Sequence, residues 1–294
     1  MHDEPVAVRQ IALSGTFLLG TLLYASSDTV IFLTLDDNSA IVAFCRYLFA
    51  TPIAFFVCFS QPNVLSSLSI SWRAHIVRVG FLAANTLLLL HVIELGGPSS
   101  ASLTYLFQPI MLTLVASLLA FRTMPGRVAE LAIIIAVSLV LIERIAGTDG
   151  FVVLLSVLTA AFCSACAIAL CRLSPARMAT PAFAFSGTFG MCLLFLAIAA
   201  LSGQLENIVF VGRNMLIVAV LSYLANYCIL HCHGRMNFRL LLIMELLRFP
   251  LAILLSAKLG IQYPNASELT GYVCVWLIIF SYTVILRRQE VALG

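Results

Sequence analysis

Long apolar stretches, each about the length of one membrane span, alternate with short polar segments along this chain. Ten stretches of mostly apolar residues are separated by short polar connections, and about 20 such residues cross the hydrocarbon core of a bilayer as a helix. We expect one helix for each stretch, because a backbone in hydrocarbon must satisfy its hydrogen bonds internally. The expected spans are Ile11–Leu35, Ala40–Phe59, Ala74–Ile93, Ser99–Phe121, Arg127–Ile145, Phe151–Cys171, Pro181–Leu201, Met215–Cys232, Leu240–Ala257 and Leu269–Leu286.

The last five spans repeat the first five at an offset of 141 residues. Asn85 is matched by Asn226, and Pro109 by Pro250. Five is an odd number, so the two copies must cross the membrane in opposite directions, related by a pseudo-two-fold axis in the membrane plane. The sequence therefore predicts an all-α membrane protein built from two inverted five-helix repeats, an architecture typical of secondary transporters. The expected repeats are residues 1–145 and 146–294.

Composition and charge agree with a membrane protein. Hydrophobic residues make up 62% of the chain and charged residues 10%, against about 45–50% and about 25% in soluble domains. If the N-terminus is cytoplasmic, only Arg144, Arg213 and Lys258 fall on the outer side. Eleven arginines fall on the cytoplasmic side, which follows the positive-inside rule and places both termini there. These are Arg9, Arg73, Arg78, Arg122, Arg127, Arg172, Arg177, Arg235, Arg239, Arg287 and Arg288. Because they are spread over helix ends, no nucleic-acid partner is expected.

Four charges lie inside the spans: Asp28, Arg46, Glu245 and Arg248. Each costs about 2.5 kcal/mol or more to insert, so we expect them to face the protein interior or a watery cavity. Glu245 and Arg248 are three residues apart and share a helical face. The four charges are either structural ion pairs or parts of a substrate cavity. Charges paired in the empty protein could also separate to bind a zwitterion. We favour a structural or gating role for Asp28 and Arg46, and substrate contact for the other two.

Uncharged polar groups add candidates to this cavity. Asn85 and Asn226 each bring an amide into the bilayer at matched positions. They either bond to each other as helix contacts or bind substrate. Tyr24 precedes Asp28 by one helical turn and so shares its face.

The fourth and ninth spans contain prolines at matched positions. Tyr105 and Gln108 place polar groups just before Pro109. Proline removes a backbone hydrogen bond, so Pro109 and Pro250 are expected to bend these spans and serve a structural or gating role.

Two groups have the spacing of metal or redox sites. Cys163 and Cys166 form a C-x-x-C pair in a run of small residues, which favours helix packing. His231 and His233 flank Cys232 at the end of span eight, where an interfacial histidine pair is expected. We expect no metal, cofactor or catalytic residue.

The residues together resemble the drug/metabolite transporter superfamily, EamA type. The resemblance rests on the two five-span repeats, on the prolines of spans four and nine, and on two further segments. These are Ala43-Phe44-Cys45-Arg46-Tyr47-Leu48-Phe49-Ala50 in span two and Ser99-Ser100-Ala101-Ser102-Leu103 leading to Pro109 in span four. Family members often have Gly-Glu after spans four and nine, where this chain has Phe121-Arg122 and Gly260-Ile261.

The resemblance implies a ten-helix basket whose cavity is lined by spans one, three, four, six, eight and nine. It implies alternating access, a cargo among amino acids and related metabolites, and export across the bacterial inner membrane by a monomer. The substrate-binding candidates are Tyr24, Asn85, Tyr105, Gln108, Asn226, Glu245 and Arg248. Glu245 is also the candidate protonatable coupling residue.

Two alternatives stay open. A carrier for a larger cationic or nucleotide-like metabolite, such as S-adenosylmethionine, would use Asp28 and Glu245 as counter-charges. A polytopic membrane enzyme would need a nucleophile–base or metal-ligand arrangement, which the short connections do not suggest.

Overall fold

The computed structural model describes residues 6–34, 39–60, 72–119, 125–146, 150–173, 180–203, 212–258 and 264–292, all within or next to helices. The helices are α1 (Val6–Thr34), α2 (Ser39–Phe59), α5 (Pro125–Ala146), α6 (Gly150–Leu173), α7 (Thr180–Leu201), α8 (Gly212–His233), α9 (Phe238–Lys258) and α10 (Ala266–Ala292), with the stretch Trp72–Leu119 between α2 and α5. Arg122, Arg177, Phe121 and Gly260-Ile261, used in the sequence arguments, lie outside the described residues.

Spans three and four form one helical stretch, Trp72–Leu119. A straight helix of that length would measure about 70 Å, more than twice the hydrocarbon thickness. Arg78 and Gln108 nevertheless border one cavity, although a straight helix would hold them about 45 Å apart. The chain therefore folds back within the stretch. We name its two membrane-crossing parts α3 (Trp72–Leu95) and α4 (Ser100–Leu118).

The helices have the length and composition of membrane spans. Eight of them, α1 to α4, α6 to α8 and α10, contain a segment long and apolar enough to cross a bilayer. A shorter apolar segment, Glu130–Ile142, lies within α5, and α9 contains the two charges Glu245 and Arg248. Large apolar side chains are exposed on the outside of the bundle, among them Ile11, Phe56 and Leu201. Helices that are apolar on all sides are typical of membrane proteins, so the chain is an all-α, multi-pass membrane protein.

The centre of the bundle is formed by α4 and α9. Every residue from 101 to 112 of α4 is buried, and most of α9 from Leu241 to Phe249 is buried too. Around them, α1 packs on α8 and α9, α2 on α7 and α8, and α5 on α10, while the α3–α4 stretch packs on α6, α7 and α9. The first and second halves of the chain therefore interlock along their lengths.

Glycines permit two of these contacts between the halves. A Cβ on Gly20 of α1 would lie 2.9 Å from Ile229 Cγ1 and 3.2 Å from the Ala225 carbonyl oxygen of α8. A Cβ on Gly190 of α7 would lie 2.6 Å from Val79 Cγ2 of α3. Small residues at such crossings let membrane helices approach closely.

Candidate functional site

A cavity lies at the centre of the bundle, between the two halves of the chain. The cavity has a volume of about 110 Å³, enough for several water molecules or a small organic molecule. The side chains of α1, α2, α3, α4, α6, α8 and α9 line it. The polar lining residues are Tyr24, Asp28, Arg46, Tyr47, Arg78, Asn85, Thr86, Thr104, Tyr105, Gln108, Ser164, Cys171, Asn226, His233 and Arg248. Helix α2, which the resemblance did not place at the cavity, supplies Arg46 and Tyr47.

The structure brings most of the expected site residues together. Tyr24, Asn85, Tyr105, Gln108, Asn226 and Arg248 line the cavity. Asp28 and Arg46, for which we favoured a structural or gating role, line it as well. Glu245 does not reach it, since its side chain is fully buried behind Arg248. Pro109 and Pro250 are not among the lining residues.

Glu245 is the centre of a buried charged group. Its Oε2 accepts a hydrogen bond from Arg248 Nη1 at 2.8 Å, and its Oε1 lies 2.9 Å from His233 Nε2. All three residues are at most 5% exposed. The carboxylate thus compensates Arg248 inside the bundle, which is the structural ion pair that the sequence left open beside substrate contact. The geometry also fixes the guanidinium of Arg248, whose centre lies 4.2 Å from the ring of Tyr105.

The other two intramembrane charges, Asp28 and Arg46, do not form an ion pair with each other, which was one of the alternatives left open by the sequence. Asp28 Oδ2 instead accepts a hydrogen bond from the Tyr105 hydroxyl at 2.9 Å. The guanidinium of Arg46 lies over the rings of Tyr24 and Tyr47, at 5.9 Å and 5.7 Å from their centres. A positive charge is attracted to an aromatic face, which stabilises Arg46 in place without neutralising it.

Several polar atoms at the cavity are buried without a hydrogen-bond partner among the described residues. They include Asn85 Oδ1, Thr104 Oγ1 and Gln108 Nε2. Asn85 and Asn226 both line the cavity, and no hydrogen bond joins their amides in the described part of the chain. The described residues therefore do not show the amide–amide contact that was one of the two interpretations of this matched pair. Buried polar groups usually have a partner, so these atoms mark where a bound molecule or water would bond.

Seven polar lining residues were not site candidates from the sequence, and two of them, Arg78 and His233, had been assigned to the membrane surface. Arg78 was counted as a loop-end arginine, but it is 2% exposed and its Nη1 donates to the Phe183 carbonyl oxygen of α7 at 3.1 Å. His233 was assigned to an interfacial pair, which is wrong for this residue because it is buried against Glu245. A weak signal existed, since Arg78 lies almost two turns inside α3.

The helices continue through their prolines, including Pro52 of α2, which the sequence analysis did not single out. Pro250 cannot donate to the carbonyl of Leu246, four residues earlier. The indole Nε1 of Trp276 on α10 donates to that oxygen at 3.1 Å instead. A side chain from a neighbouring helix thus satisfies the acceptor that proline leaves open.

One serine–histidine contact bears on the enzyme alternative. Ser186 Oγ lies 2.7 Å from His75 Nδ1, but the hydroxyl also donates to the Phe183 carbonyl oxygen at 3.2 Å. Neither residue lines the cavity. Cys163 and Cys166 are free thiols, and the described residues contain no group of three or more His, Cys, Asp or Glu placed to hold a metal ion.

Comparisons with known proteins inform the fold. No protein-family model matches the sequence, and no curated protein matches it. A protein of known crystal structure superposes with a TM-score of 0.64 at 18% sequence identity, over 96% of this chain and 99% of the other. At this identity the likeness concerns the fold alone, and it extends over nearly the whole of both chains.

Proposed function

We propose that this chain is a secondary transporter that moves a small organic metabolite across the bacterial inner membrane by alternating access. The observation that supports it is the central cavity, where Asp28, Arg46 and Arg248 meet inside a membrane bundle. Charges within a bilayer are costly and are usually retained where they serve a substrate or ion pathway. Secondary transporters bind their cargo near the midplane, between two repeats.

We also propose that the two halves are inverted repeats of the EamA type, in the drug/metabolite transporter superfamily. The helix contacts support this. A two-fold axis between the repeats would place each helix where the helix five places away in the chain now lies. The α1–α8 contact would then correspond to α6–α3, and the α2–α8 contact to α7–α3. All four contacts occur in the structure. The contacts α2–α7, α4–α9 and α5–α10 become themselves. Two copies related by a two-fold axis would produce such an exchange.

Alternating access requires contacts between the halves that can open on one side at a time. On the predicted outer side, the hydroxyls of Ser27 on α1 and Ser222 on α8 are 2.5 Å apart. On the predicted inner side, His75 of α3 bonds to Ser186 of α7. The cavity adjoins both contacts, since Asp28 next to Ser27 and Arg78 one turn from His75 line it. In the proposed cycle one of the contacts breaks while the other persists, which exposes the cavity to each side in turn.

The proposed cargo is an amino acid or a similar metabolite, and the proposed direction is export. Three guanidinium groups, those of Arg46, Arg78 and Arg248, line the cavity against the single carboxylate of Asp28. This lining suits a molecule with a carboxylate better than the cationic alternative, which needs an excess of acids. Glu245, bonded to both Arg248 and His233, stays the candidate for proton coupling.

The test is counterflow in vesicles containing the purified protein, with labelled amino acids and nucleosides outside and the same unlabelled compound inside. We expect saturable uptake of at least one amino acid. Thr104→Val removes an unpartnered cavity hydroxyl and should weaken uptake about two- to tenfold, since one such hydrogen bond contributes about 0.5–1.5 kcal/mol.

The matched control is Thr159→Val on the exposed face of α6, where the hydroxyl bonds only to its own helix at Leu155. Uptake by this variant should equal that of the wild type. Uptake no greater than in protein-free vesicles, for every compound, would contradict the proposed function.

A further inference from the structure

Arg46 lines the cavity without a carboxylate in ion-pair contact among the described residues, although the charge of Asp28 attracts it across the same cavity. Arg248, by contrast, is paired with Glu245 at 2.8 Å, and Arg78 donates to the Phe183 carbonyl oxygen at 3.1 Å. None of the ion pairs found among the described residues includes Arg46. Its side chain is nevertheless 8% exposed, and its Nε is buried without a hydrogen-bond partner.

The position of Arg46 makes this arrangement costly for the empty protein. It is seven residues into α2, which places it about 10 Å from the helix end and well inside the bilayer. The rings of Tyr24 and Tyr47 attract the charge, but by about 0.5–2 kcal/mol each at most. An anion that enters the cavity would therefore find a buried, oriented guanidinium that no carboxylate contacts directly among the described residues.

The unpartnered atoms around the cavity are mostly hydrogen-bond donors. Besides Arg46 Nε, they include the amide nitrogen of Gln108 and the Nε of Arg248. Gln108 and Arg248 are at most 5% exposed, so they cannot turn to bulk water. A ligand that satisfies this lining must supply acceptors. Carboxylate and phosphate oxygens do so, and a guanidinium binds both with two parallel hydrogen bonds.

We propose that Arg46 is the anion-binding residue of the cavity, and that the cargo is an organic molecule whose carboxylate or phosphate group neutralises it. The body of the cargo lies against the rings of Tyr24, Tyr47 and Tyr105, which line the same space. The Glu245–Arg248 pair stays closed when cargo binds, because Arg46 supplies the charge. This inference rests on the proposed function and specifies its substrate class.

The first test needs no ligand and compares apparent melting temperatures in detergent. Arg46→Gln removes a charge that makes no ion-pair contact in the described part of the chain, so we expect its melting temperature to stay close to that of the wild type. Arg248→Gln leaves Glu245 without its ion-pair partner and should melt several degrees lower. Arg73 is exposed at the start of α3, so Arg73→Gln should melt at the wild-type temperature. A loss in Arg46→Gln equal to that in Arg248→Gln would mean a structural counter-charge and would overturn the proposal.

The second test uses four probes with one aromatic body: 3-phenylpropionate, phenyl phosphate, phenylalanine and 2-phenylethylamine. We expect at least one of the first three to raise the melting temperature of the wild type and of Arg73→Gln, and the amine to have no effect. Binding to Arg46→Gln should be at least about tenfold weaker, with Arg46→Lys between the two. The carboxylate and phosphate probes separate the two anion chemistries.

Stabilisation by the amine alone, by no probe, or equally in Arg46→Gln would overturn the proposal. Its failure is distinguishable from failure of the proposed function. Counterflow of a cargo that has no anionic group would leave the transporter proposal standing without this inference. Anion binding at Arg46 with no counterflow of any compound would support this inference and contradict the transporter proposal.

Discussion

The carbonyl oxygen of Leu246 depends on a side chain from another helix. Pro250 has no N–H to donate to it, and Trp276 Nε1 donates at 3.1 Å instead. Leu246 is 1% exposed, so water cannot replace the indole. Trp276→Phe keeps an aromatic ring beside Phe280, which stacks on Trp276, but removes the donor. Leaving a buried acceptor unsatisfied costs about 1–3 kcal/mol.

The assay is the apparent melting temperature of the purified protein at one fixed scan rate. For domains of a few hundred residues, each kcal/mol corresponds to about 2–4 °C, so Trp276→Phe should lower the melting temperature by about 2–12 °C. Pro250→Ala restores a backbone N–H at this position. In that background Trp276→Phe should cost much less, because the helix itself now satisfies the oxygen. Trp72→Phe, 55% exposed at the start of α3, is the control and should not change stability.

An equal loss from Trp276→Phe in both backgrounds would refute this account. The indole would then stabilise the protein through packing, and the open carbonyl at Pro250 would contribute nothing measurable. A larger loss with alanine at position 250 would refute it as well.

Two further predictions concern helix packing and orientation. Gly190→Ala should lower the melting temperature, because overpacking costs about 1–3 kcal/mol and the new Cβ would lie 2.6 Å from Val79. Gly80→Ala should leave the melting temperature unchanged, because a Cβ at this position would meet no atom within 4 Å. If both variants lowered the melting temperature equally, close packing of α3 on α7 would be contradicted. If both termini are cytoplasmic, a membrane-impermeant maleimide should label Ser202→Cys in whole cells and Ser60→Cys only after permeabilisation. Both positions are exposed at helix ends, and the reverse pattern would show the opposite orientation.

The helices were predictable because each satisfies its own backbone. Span two was expected at Ala40–Phe59 and is helical over Ser39–Phe59, and span seven was expected at Pro181–Leu201 and is helical over Thr180–Leu201. Length and apolarity alone set these limits, since a helix in hydrocarbon needs no partner for its hydrogen bonds. For the stretch Trp72–Leu119, the sequence predicted two separate spans but did not predict that the stretch is helical throughout.

The candidate site was predictable in part. Asp28, Arg46 and Arg248 stand out in apolar segments, and the expectation that such charges face the interior led to residues that line the cavity. Arg78 and His233 were assigned to the membrane surface by their position near span ends. Their burial depends on α7, which bonds to Arg78, and on α9, which supplies Glu245 to His233.

The sequence by itself therefore determined the helices and the small set of polar residues that hydrocarbon cannot accept. These properties are local, since they follow from the transfer of each segment from water to lipid. Only the tertiary structure decided that Asp28 bonds to Tyr105 rather than to Arg46, and that Glu245 lies behind Arg248. Those outcomes depend on the rotation and crossing of each helix against its neighbours. Contacts between residues far apart in sequence set that rotation, and no single span encodes it.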